Sequence, residues 1–463
     1  AEMLGHTLSS MADGGIYDHL GGGFARYSVD GHWLVPHFEK MLYDNALLAR
    51  LYLRASQVTG NPAFEHEARE TLDSLLADLR LPGGGFASAE DADSEGAEGR
   101  FYVFTRAEVE AAAGEHAPVA IAFFGVDALG NFEGSNILHR PTTVDRVASD
   151  AGISPEQASA SIEEARRLLL AARAQRVRPA RDDKAVCAWN ALAIRALAEA
   201  GAVLGEERYL EAAVTAARYL LTELRDDRGR LLRSWREGRT SGPGFADDYG
   251  ATALALFALY QATGDAAWYV EAAAVTEAMV GLFWDEDAGG VFATSHDAER
   301  LIARPKNVFD NPTPSDNSLA AEALATLAAA TGDTRHADRV GEIARMAGLV
   351  ATRAPAAVGW LLAVLASSFR QRQLAIVGDP SDPRTADLVA TARRRFIPEV
   401  FLAVGDGLDP APAIPLLAHR GTGADGSPQA YLCTDFVCEA PIGDPRGLRD
   451  MLDTGSPQPE TRP

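Results

Sequence analysis

A helical repeat with a fixed spacing most constrains the fold of this 463-residue chain. Four segments open on a polar or aromatic residue, continue as a Leu/Ala-rich helix and stop at a glycine fifteen residues later. Glycine commonly follows a helix C-terminus, and each of these glycines precedes residues that start another helix. The spacing therefore predicts antiparallel helical hairpins with tight turns. The four pairs are Asn45 and Gly60, Asn190 and Gly205, Tyr249 and Gly264, and Asn317 and Gly332.

Helical periodicity over the whole chain predicts about eleven principal helices. Six hairpins need twelve helices, and a chain that starts inside its first hairpin supplies eleven helices. We therefore predict a mainly α fold, namely a six-hairpin α/α barrel whose first helix lies upstream. An open α-solenoid has the same local pattern and is the alternative. The helices are predicted near 1–12, 37–59, 62–80, 155–175, 187–204, 207–224, 247–263, 266–283, 315–331, 334–351 and 354–368.

Glycine-rich turns link the hairpins. The segments 21–28, 83–90 and 289–296 share Gly-Gly-x-Phe followed by small or polar residues, and 226–235 is a looser relative. They are typical of tight turns that lead into short strands. They follow the second helix of a hairpin, so we expect them at the end where the next helices open, which favours a closed barrel.

The pattern changes along the chain in two places. Residues 96–150 predict an irregular insertion within a barrel that spans 1–368, with Thr105 and Glu108 as a capping box. Residues 369–450 alternate buried strands with one helix and predict a small α/β appendage. Residues 451–463 are typical of a disordered tail.

Charge and composition exclude several functions. The net charge of −22 and the lack of a basic patch argue against nucleic-acid binding. We expect no membrane span, because no apolar run reaches about eighteen residues. Three cysteines suit a reducing, cytoplasmic location. Only three of 43 basic residues are lysines, at positions 40, 184 and 306, which suggests a need for a compact amine in a cleft.

The residues that open the first hairpin form the centre of the predicted site. With a helix starting near Pro36, His37, Lys40 and Asp44 share one face and project together. Histidine transfers protons readily near neutral pH, so we assign acid–base chemistry to His37, with Glu39 and Asp44 as partner carboxylates. Alternatively, His37 and Glu39 cap the helix and Lys40 pairs with Asp44. The predicted substrate-binding residues of this segment are Arg26, Tyr27, Trp33, Lys40 and Asn45.

One glycine-rich turn and three further helix openings complete the predicted site. Their Asp and Asn residues could be helix caps, but caps do not need Trp, Tyr and Lys beside them. Gathered at one end of a barrel, they make a cleft of carboxylates, amides and aromatic rings that suits a sugar. Asp248 is assigned as a further catalytic carboxylate. The remaining predicted substrate-binding residues are Glu90, Asp91, Asp183, Lys184, Trp189, Asn190, Asp247, Tyr249, Lys306 and Asn317.

No metal or cofactor is predicted. The acidic segment 88–102 departs from the spacing of an EF-hand, so we expect a solvated loop or a pocket wall there and not a calcium site. Cys433 and Cys438 lack the spacing and the neighbouring histidine of a zinc site. We expect them to be buried thiols in a strand pair, with a redox role as the alternative.

Several segments resemble a known family. "GGIYDHLGGGFARYSVDGHWLVPHFEKMLYDNALL", "RDDKAVCAWNALAIRALA", "RPKNVFDNPTPSDNS" and "YLCTDFVCEAPI" are similar to the spermatogenesis-associated protein 20 / YyaL-like family of thioredoxin-domain-containing proteins, from about residue 7 to 450. The resemblance implies an upstream thioredoxin-like domain and a barrel like those of six-hairpin glycosidases and N-acylglucosamine 2-epimerases. Ala191 and Asp316 stand where the family commonly has glycine.

Three functional hypotheses follow. The first is a carbohydrate-active or sugar-binding protein of epimerase or isomerase type, with Trp33, Trp189 and Tyr249 stacked on the sugar and Lys184 and Lys306 on its oxygens. The second is glycoside hydrolysis by a carboxylate pair, one from residues 90–93 and one from 247–248. The third is a non-catalytic scaffold for the upstream thioredoxin-like domain in redox or protein quality control.

Overall fold

The computed structural model describes residues 2–299, 302–408 and 413–454. These residues form two compact units. Unit 1 comprises Ala1–Pro82 and Phe86–Lys184, and unit 2 comprises Gly83–Gly85 and Ala185–Pro463. The part of the predicted tail over residues 455–463 lies outside the described residues.

Unit 1 contains seven α-helices and seven two-residue strands among its described residues. Its helices are α1 (Glu2–Asp13), α2 (Leu42–Thr59), α3 (Pro62–Ser74), α4 (Arg106–Ala113), α5 (Ala117–Phe123), α6 (Val144–Ala151) and α7 (Pro155–Arg173). Its strands are β1 (Tyr27–Ser28), β2 (Pro36–His37), β3 (Lys40–Met41), β4 (Ala89–Glu90), β5 (Asp93–Ser94), β6 (Ala97–Glu98) and β7 (Arg181–Asp182). A π-helical turn, Leu75–Leu79, extends α3.

The segment before α2 is extended, which corrects the predicted helix start. We predicted a helix from residue 37, but α2 begins at Leu42. Residues 36–41 use their backbone groups in strand pairing: β2 pairs with β1, and β3 pairs with β4. An extended chain alternates its side chains, so His37, Lys40 and Asp44 do not share a helix face.

The predicted insertion at 96–150 is more regular than expected. The helices α4, α5 and α6 pack with α7 around an apolar core that includes Phe104, Phe124 and Leu169. Thr105 and Glu108 form the predicted capping box at the start of α4. Short apolar segments became helical here because α7 covers their hydrophobic faces.

Unit 2 contains nine α-helices and seven strands among its described residues. Its helices are α8 (Cys187–Leu204), α9 (Glu207–Glu223), α10 (Ala246–Thr263), α11 (Ala266–Phe283), α12 (Asp316–Thr331), α13 (Thr334–Arg353), α14 (Gly359–Ser368), α15 (Pro383–Arg393) and α16 (Pro445–Thr454). Its strands are β8 (Ala185–Val186), β9 (Leu232–Arg236), β10 (Arg239–Pro243), β11 (Arg372–Val377), β12 (Val400–Gly405), β13 (Gln429–Thr434) and β14 (Val437–Cys438).

Three helical hairpins of unit 2 pack side by side. The pairs α8/α9, α10/α11 and α12/α13 are antiparallel, and α10 lies between α8 and α12. The contact of α10 with α12 is close, since a Cβ at Gly250 would lie 2.8 Å from the Cβ of Leu319. The helix-ending glycines adopt left-handed backbone conformations, with φ of 68° at Gly205 and 75° at Gly332. The predicted antiparallel helical hairpins, with a glycine at the end of each first helix, are therefore confirmed for these three pairs.

A mixed four-stranded sheet follows the hairpins, in the order β12-β11-β13-β14. β11 and β12 are parallel and connected through α15, whereas β13 is antiparallel to β11. The amphipathic helix α16 packs Met451 and Leu452 into the core of this sheet. Residues 451–454, predicted as part of a disordered tail, are therefore helical because this packing buries their apolar face.

The predicted fold class is confirmed: the chain is mainly α, with paired helices of the six-hairpin α/α type and a small C-terminal α/β appendage. Two helices, α8 and α11, are long and apolar enough to cross a membrane by length and composition. We expected no such run from the sequence. Most of α8 is buried inside unit 2, as is common for a core helix.

Candidate functional site

The glycine-rich turns share one construction in the structure. Each turn is closed by an isolated antiparallel bridge between the residue before it and the residue after its glycines. The bridges align the turns on Phe24, Phe86, Leu231 and Val291. In the last turn the aligned residue is Val291, one position before the phenylalanine of its Gly-Gly-x-Phe sequence. The four bridges are Tyr17 with Phe24, Arg80 with Phe86, Arg225 with Leu231, and Trp284 with Val291.

Three of these turns are each held by hydrogen bonds with a polar residue in the first turn of a helix, an arrangement that we call the turn clamp. Asn45 accepts a hydrogen bond from the Phe24 amide at 2.7 Å and donates one to the Phe24 carbonyl at 3.0 Å. Asn317 makes the same pair of bonds with Val291, at 2.8 and 3.0 Å. Tyr249 accepts one from the Leu231 amide at 3.1 Å. A Cβ at the preceding Gly23 would lie 3.0 Å from the Asn45 amide oxygen, so the clamp requires glycine there.

Two of the three lysines fasten the same turns. Lys40 donates to the Gly22 carbonyl at 2.9 Å and pairs with Asp18 at 2.8 Å. Lys306 donates to the Gly289 carbonyl at 2.6 Å and pairs with Asp285 at 2.5 Å. A compact ammonium with three donors suits a carbonyl and a carboxylate at one point better than a planar guanidinium does.

These contacts give the predicted substrate-binding residues Lys40, Asn45, Tyr249, Lys306 and Asn317 another role. Their polar atoms bond to turns, and all five are buried or nearly so. We expected them to face a cleft. Each of the five either lies at the start of a helix or bonds to the turn beside one.

A half-buried polar group in unit 1, the His37 cluster, brings several predicted residues together. His37 Nδ1 lies 2.7 Å from Glu98 Oε1, and His37 Nε2 lies 3.7 Å from Glu39 Oε2. Arg26 donates to the same Glu39 oxygen at 2.8 Å. Tyr27, directly opposite His37 in the β1–β2 pair, stacks on the imidazole with ring centroids 5.0 Å apart. The His37 cluster consists of Arg26, Tyr27, His37, Glu39, Tyr43, Asp44 and Glu98.

Asp44 supplies an unusual carboxyl to the His37 cluster. Burial in the first turn of α2 raises its pKa to about 7, and the Glu39 charge adds to this while Arg26 opposes it. Its Oδ2 atom is buried without a hydrogen-bond partner. Burial also raises the pKa of Tyr43, and the Asp44 charge contributes. A carboxyl of this kind exchanges its proton near neutral pH, as a general acid or base must.

The other predicted residues of unit 1 lie apart from that group or are engaged elsewhere. Glu90 is buried and paired with Arg178 at 2.8 Å. Asp91 accepts hydrogen bonds from the amides that follow it. Asp183 pairs with Arg181 at 2.6 Å, and Lys184 pairs with Asp182 at 3.1 Å.

Trp33 occupies a tight backbone position. Its φ is 63°, and its carbonyl accepts a hydrogen bond from the Ile16 amide at 3.2 Å. A Cβ at Gly14 would lie 2.3 Å from that carbonyl oxygen. The backbone of Trp33 therefore holds this loop against the segment after α1.

Unit 2 has its own group, the carboxylate cluster, at the openings of α10 and α12. Arg233 donates from one nitrogen to both oxygens of Asp247, each at 2.8 Å, and to Asp248 at 2.9 Å. The buried Asp248 also accepts from the amides of Ala188 at 2.9 Å and Phe245 at 2.8 Å. The carboxylate cluster consists of Arg233, Asp247, Asp248, Asn307 and Asp316.

Two carboxyls of the carboxylate cluster hold protons unusually tightly. Burial raises the pKa of Asp248 to about 7, with the Asp247 charge as a second cause. Burial raises the pKa of Asp316 to about 7 as well, again with a contribution from Asp247. Asn307 donates to Asp316 at 2.7 Å. Asp248 was predicted as catalytic, but its bonds to two backbone amides also make it a structural cap.

Trp189 and Asn190 lie in the first turn of α8. Asn190 is buried and donates to the Val186 carbonyl at 3.0 Å, as Asn45 does to Met41. Trp189 is half-buried. Within residues 2–299, 302–408 and 413–454, no group of three His, Cys, Asp or Glu side chains could hold a metal ion.

The cysteine prediction was wrong in one respect. Cys433 and Cys438 lie in a strand pair as expected, but the structure joins them in a disulfide. Cys187 is a free thiol buried in α8. The directly opposed positions of Cys433 and Cys438 follow from the β13–β14 register, which their separation in sequence does not reveal.

Sequence reasoning missed four residues of these groups: Glu98, Arg233, Asn307 and Asp316. No motif marks Arg233, since it lies in a strand of ordinary composition. The one signal for Asp316 in the sequence is that it stands where similar sequences commonly have glycine. The sequence does contain a signal for Asp18 and Asp285, the carboxylates that pair with Lys40 and Lys306. Each of them precedes a Gly-Gly pair by four residues.

The hairpins, the clamped turns and the C-terminal sheet define a mainly α protein of the helical-hairpin class with an α/β appendage. Human spermatogenesis-associated protein 20 is 33% identical to it over 97% of this chain and 62% of the human protein. The rat protein is 32% identical with the same coverage. The chain is therefore similar to these proteins over nearly its whole length, which confirms the resemblance that its motifs predict. No family model matches it.

The chain spans about 62% of the length of these curated relatives. The thioredoxin-like domain expected upstream therefore stays a prediction. Similar solved structures include cellobiose 2-epimerase from Bacillus thermoamylovorans, with 12% identity, a TM-score of 0.46 and coverage of 72% of this chain and 66% of that one. A sugar epimerase from a ruminal bacterium has 10% identity, a TM-score of 0.42 and coverage of 80% and 70%.

Proposed function

We propose that the protein transfers protons on a carbohydrate, or a similarly neutral and hydroxyl-rich small molecule, in the manner of a sugar epimerase or isomerase. The reaction is assigned to the His37 cluster. The observation that carries the proposal is the orientation of His37. Its Nδ1 atom is bonded to Glu98 at 2.7 Å, and the opposite edge of the ring is directed toward Glu39.

This orientation suits a general base. An ionised carboxylate only accepts hydrogen bonds, so the neutral imidazole that bonds to Glu98 carries its proton on Nδ1. Nε2 then has a free electron pair, as a base needs for removing the hydrogen beside a sugar carbonyl. Asp44, with a pKa of about 7, supplies a second group that can return a proton.

Charge supports a neutral ligand. The His37 cluster contains three carboxyl groups, those of Glu39, Asp44 and Glu98, and one arginine, Arg26, which pairs with Glu39. This surplus of negative charge, in a chain of net charge −22, disfavours phosphorylated or acidic sugars. Tyr27 is 50% exposed and presents an aromatic surface beside His37, as sugar sites commonly do.

The test is proton NMR of a panel of reducing sugars in D₂O with the purified chain. We expect exchange of the hydrogen on C2 for at least one sugar, abolished by His37→Ala and reduced at least tenfold by Asp44→Asn. His32→Ala is the matched control, because His32 is exposed in the same loop and should leave exchange unchanged. Absence of exchange for every sugar, or equal loss in the control, would overturn the proposal.

The hydrolytic alternative has less support. It needs a carboxylate from residues 90–93, where Glu90 is paired with Arg178 and Asp91 is bonded to its own turn, which leaves the exposed Asp93 as the one candidate. A general acid in hydrolysis must reach the leaving oxygen with a free carboxyl atom. The same NMR samples test this alternative with oligosaccharides, where release of a new reducing end would support hydrolysis.

A further inference from the structure

The disulfide between Cys433 and Cys438 has a cationic neighbour. Arg420 directs one guanidinium nitrogen, Nη2, at both sulfurs, 2.9 Å from Cys438 Sγ and 3.5 Å from Cys433 Sγ. Its other terminal nitrogen donates to the carbonyls of Leu416 at 2.5 Å and Ala418 at 3.1 Å. These two bonds fix the guanidinium in place against the sulfur pair.

A guanidinium stabilises a disulfide only slightly, because a disulfide sulfur is neutral and a weak hydrogen-bond acceptor. It contributes much more to a thiolate, which carries a full negative charge. The position of Arg420 therefore favours the reduced, ionised state of the pair over its oxidised state. No carboxylate in the described contacts of Arg420 competes for that nitrogen.

The two sulfurs differ in access. Cys433 is 1% exposed, on the inner side of β13, whereas Cys438 is half-buried near the end of β14. The turn between them, residues 434–437, is largely exposed. An external thiolate therefore reaches Cys438 first, and Cys433 becomes the leaving sulfur.

We propose that Cys433, Cys438 and Arg420 form a thiol–disulfide exchange site that accepts two electrons from a dithiol, such as the active-site pair of a reductant protein. This activity is separate from proton transfer at the His37 cluster. Arg420 acts as the residue that stabilises the thiolates formed during exchange. The buried Cys187 takes no part, because it lies in the core of α8.

The exchange balances in two steps. The first thiolate of the reductant attacks Cys438 Sγ, the Cys433–Cys438 bond breaks, and Cys433 leaves as a thiolate beside Arg420. The second thiolate of the reductant then attacks the sulfur bonded to Cys438, forms the disulfide of the reductant and releases Cys438. The two protons of the reductant thiols pass to solvent or to the new thiols, so the protein is reduced and the dithiol is oxidised by two electrons.

The experiment equilibrates the full chain in dithiothreitol redox buffers and traps free thiols with iodoacetamide for mass spectrometry. We expect reversible reduction of the folded protein, with Cys187 protected. Arg420→Met should shift the dithiol–disulfide equilibrium about tenfold toward the disulfide, which corresponds to about 30 mV. Arg449→Met, a change at an exposed arginine of unit 2, should leave it unchanged.

A second measurement keeps the proposal testable if Arg420→Met folds poorly. In the reduced wild-type protein, the alkylation rate of Cys438 against pH should show a midpoint below that of an ordinary thiol, because Arg420 favours the thiolate. Arg420→Lys should retain part of this shift. A midpoint at or above the ordinary value, or a disulfide that is reduced only when Cys187 also becomes reactive by unfolding, would overturn the proposal.

Discussion

Replacement of Asn317 by alanine tests the turn clamp most directly. The amide of Asn317 accepts from the Val291 N–H at 2.8 Å and donates to the carbonyls of Val291 at 3.0 Å and Asn307 at 2.8 Å. All three partners are backbone groups in the segment that precedes α12, and Asn317 is buried. The alanine variant leaves them without this partner.

The magnitude follows from the groups left unpaired. A buried N–H without an acceptor costs about 1–3 kcal/mol, and a carbonyl costs less because it has two electron pairs. We therefore expect Asn317→Ala to lower the free energy of unfolding by about 2–4 kcal/mol. Asn317→Asp should cost at least as much at neutral pH, because a carboxylate keeps the bond from Val291 but faces two carbonyl oxygens.

Two assays measure this effect. Urea unfolding followed by circular dichroism gives the loss of stability, and hydrogen exchange by mass spectrometry gives the protection of residues 284–292. Loss of about 3 kcal/mol corresponds to roughly 100-fold faster exchange there. Asn311→Ala is the matched control, since Asn311 is exposed and its amide bonds only to the nearby Phe309 carbonyl, at 3.3 Å. Equal effects of the two alanine variants would refute the clamp.

Three further predictions concern charge. The raised pKa of Asp316 means that the folded state binds the Asp316 proton more tightly than the unfolded chain does, so the free energy of unfolding falls as pH rises from about 4 to 7. Asp316→Asn cannot lose that proton, so unfolding measured across this pH range should show up to about 4 kcal/mol less decline for the variant. Lys40→Met should lower the free energy of unfolding of unit 1, measured by thermal unfolding, by about 3–5 kcal/mol, because it leaves the buried Asp18 without one of its cations. Lys184→Met should change this free energy by less than about 1 kcal/mol, because the side chain of Lys184 is 48% exposed. Arg233→Met should raise the pKa of Asp248 further, which carboxyl-region NMR titration would detect as a higher midpoint; an unchanged midpoint would contradict the role given to Arg233.

The sequence predicted the helices well because their signals are local. Two bounds, 187–204 and 266–283, agree with α8 and α11 to the residue. Capping and glycine termination depend only on neighbours along the chain, so the pattern contains them. The segment before α2 was misread because its strand pairing with residues 27–28 and 89–90 is not local.

The roles of the polar residues were harder to predict. The structure brings together five residues of the predicted site that lie within nineteen positions of one another: Arg26, Tyr27, His37, Glu39 and Asp44. The sequence did not predict that Glu98, about sixty residues away, bonds to His37. Residue type was ambiguous in one case. The rarity of lysine indicated that Lys40 and Lys306 have a specific role, but it did not distinguish binding of a ligand from hydrogen bonding to a turn.

The sequence by itself thus determined the repeat, the hairpin turns, the resemblance to known proteins and the residues able to do chemistry, because each depends on residue type and short spacing. Only the tertiary structure decided which polar atoms remain available. Asn45, Lys40 and Asp248 are used in the fold, whereas one buried oxygen of Asp44 is left without a hydrogen bond. The physical reason is that hydrogen bonding and burial are set by groups far apart in the chain, and these determine which side chains can still bind or react.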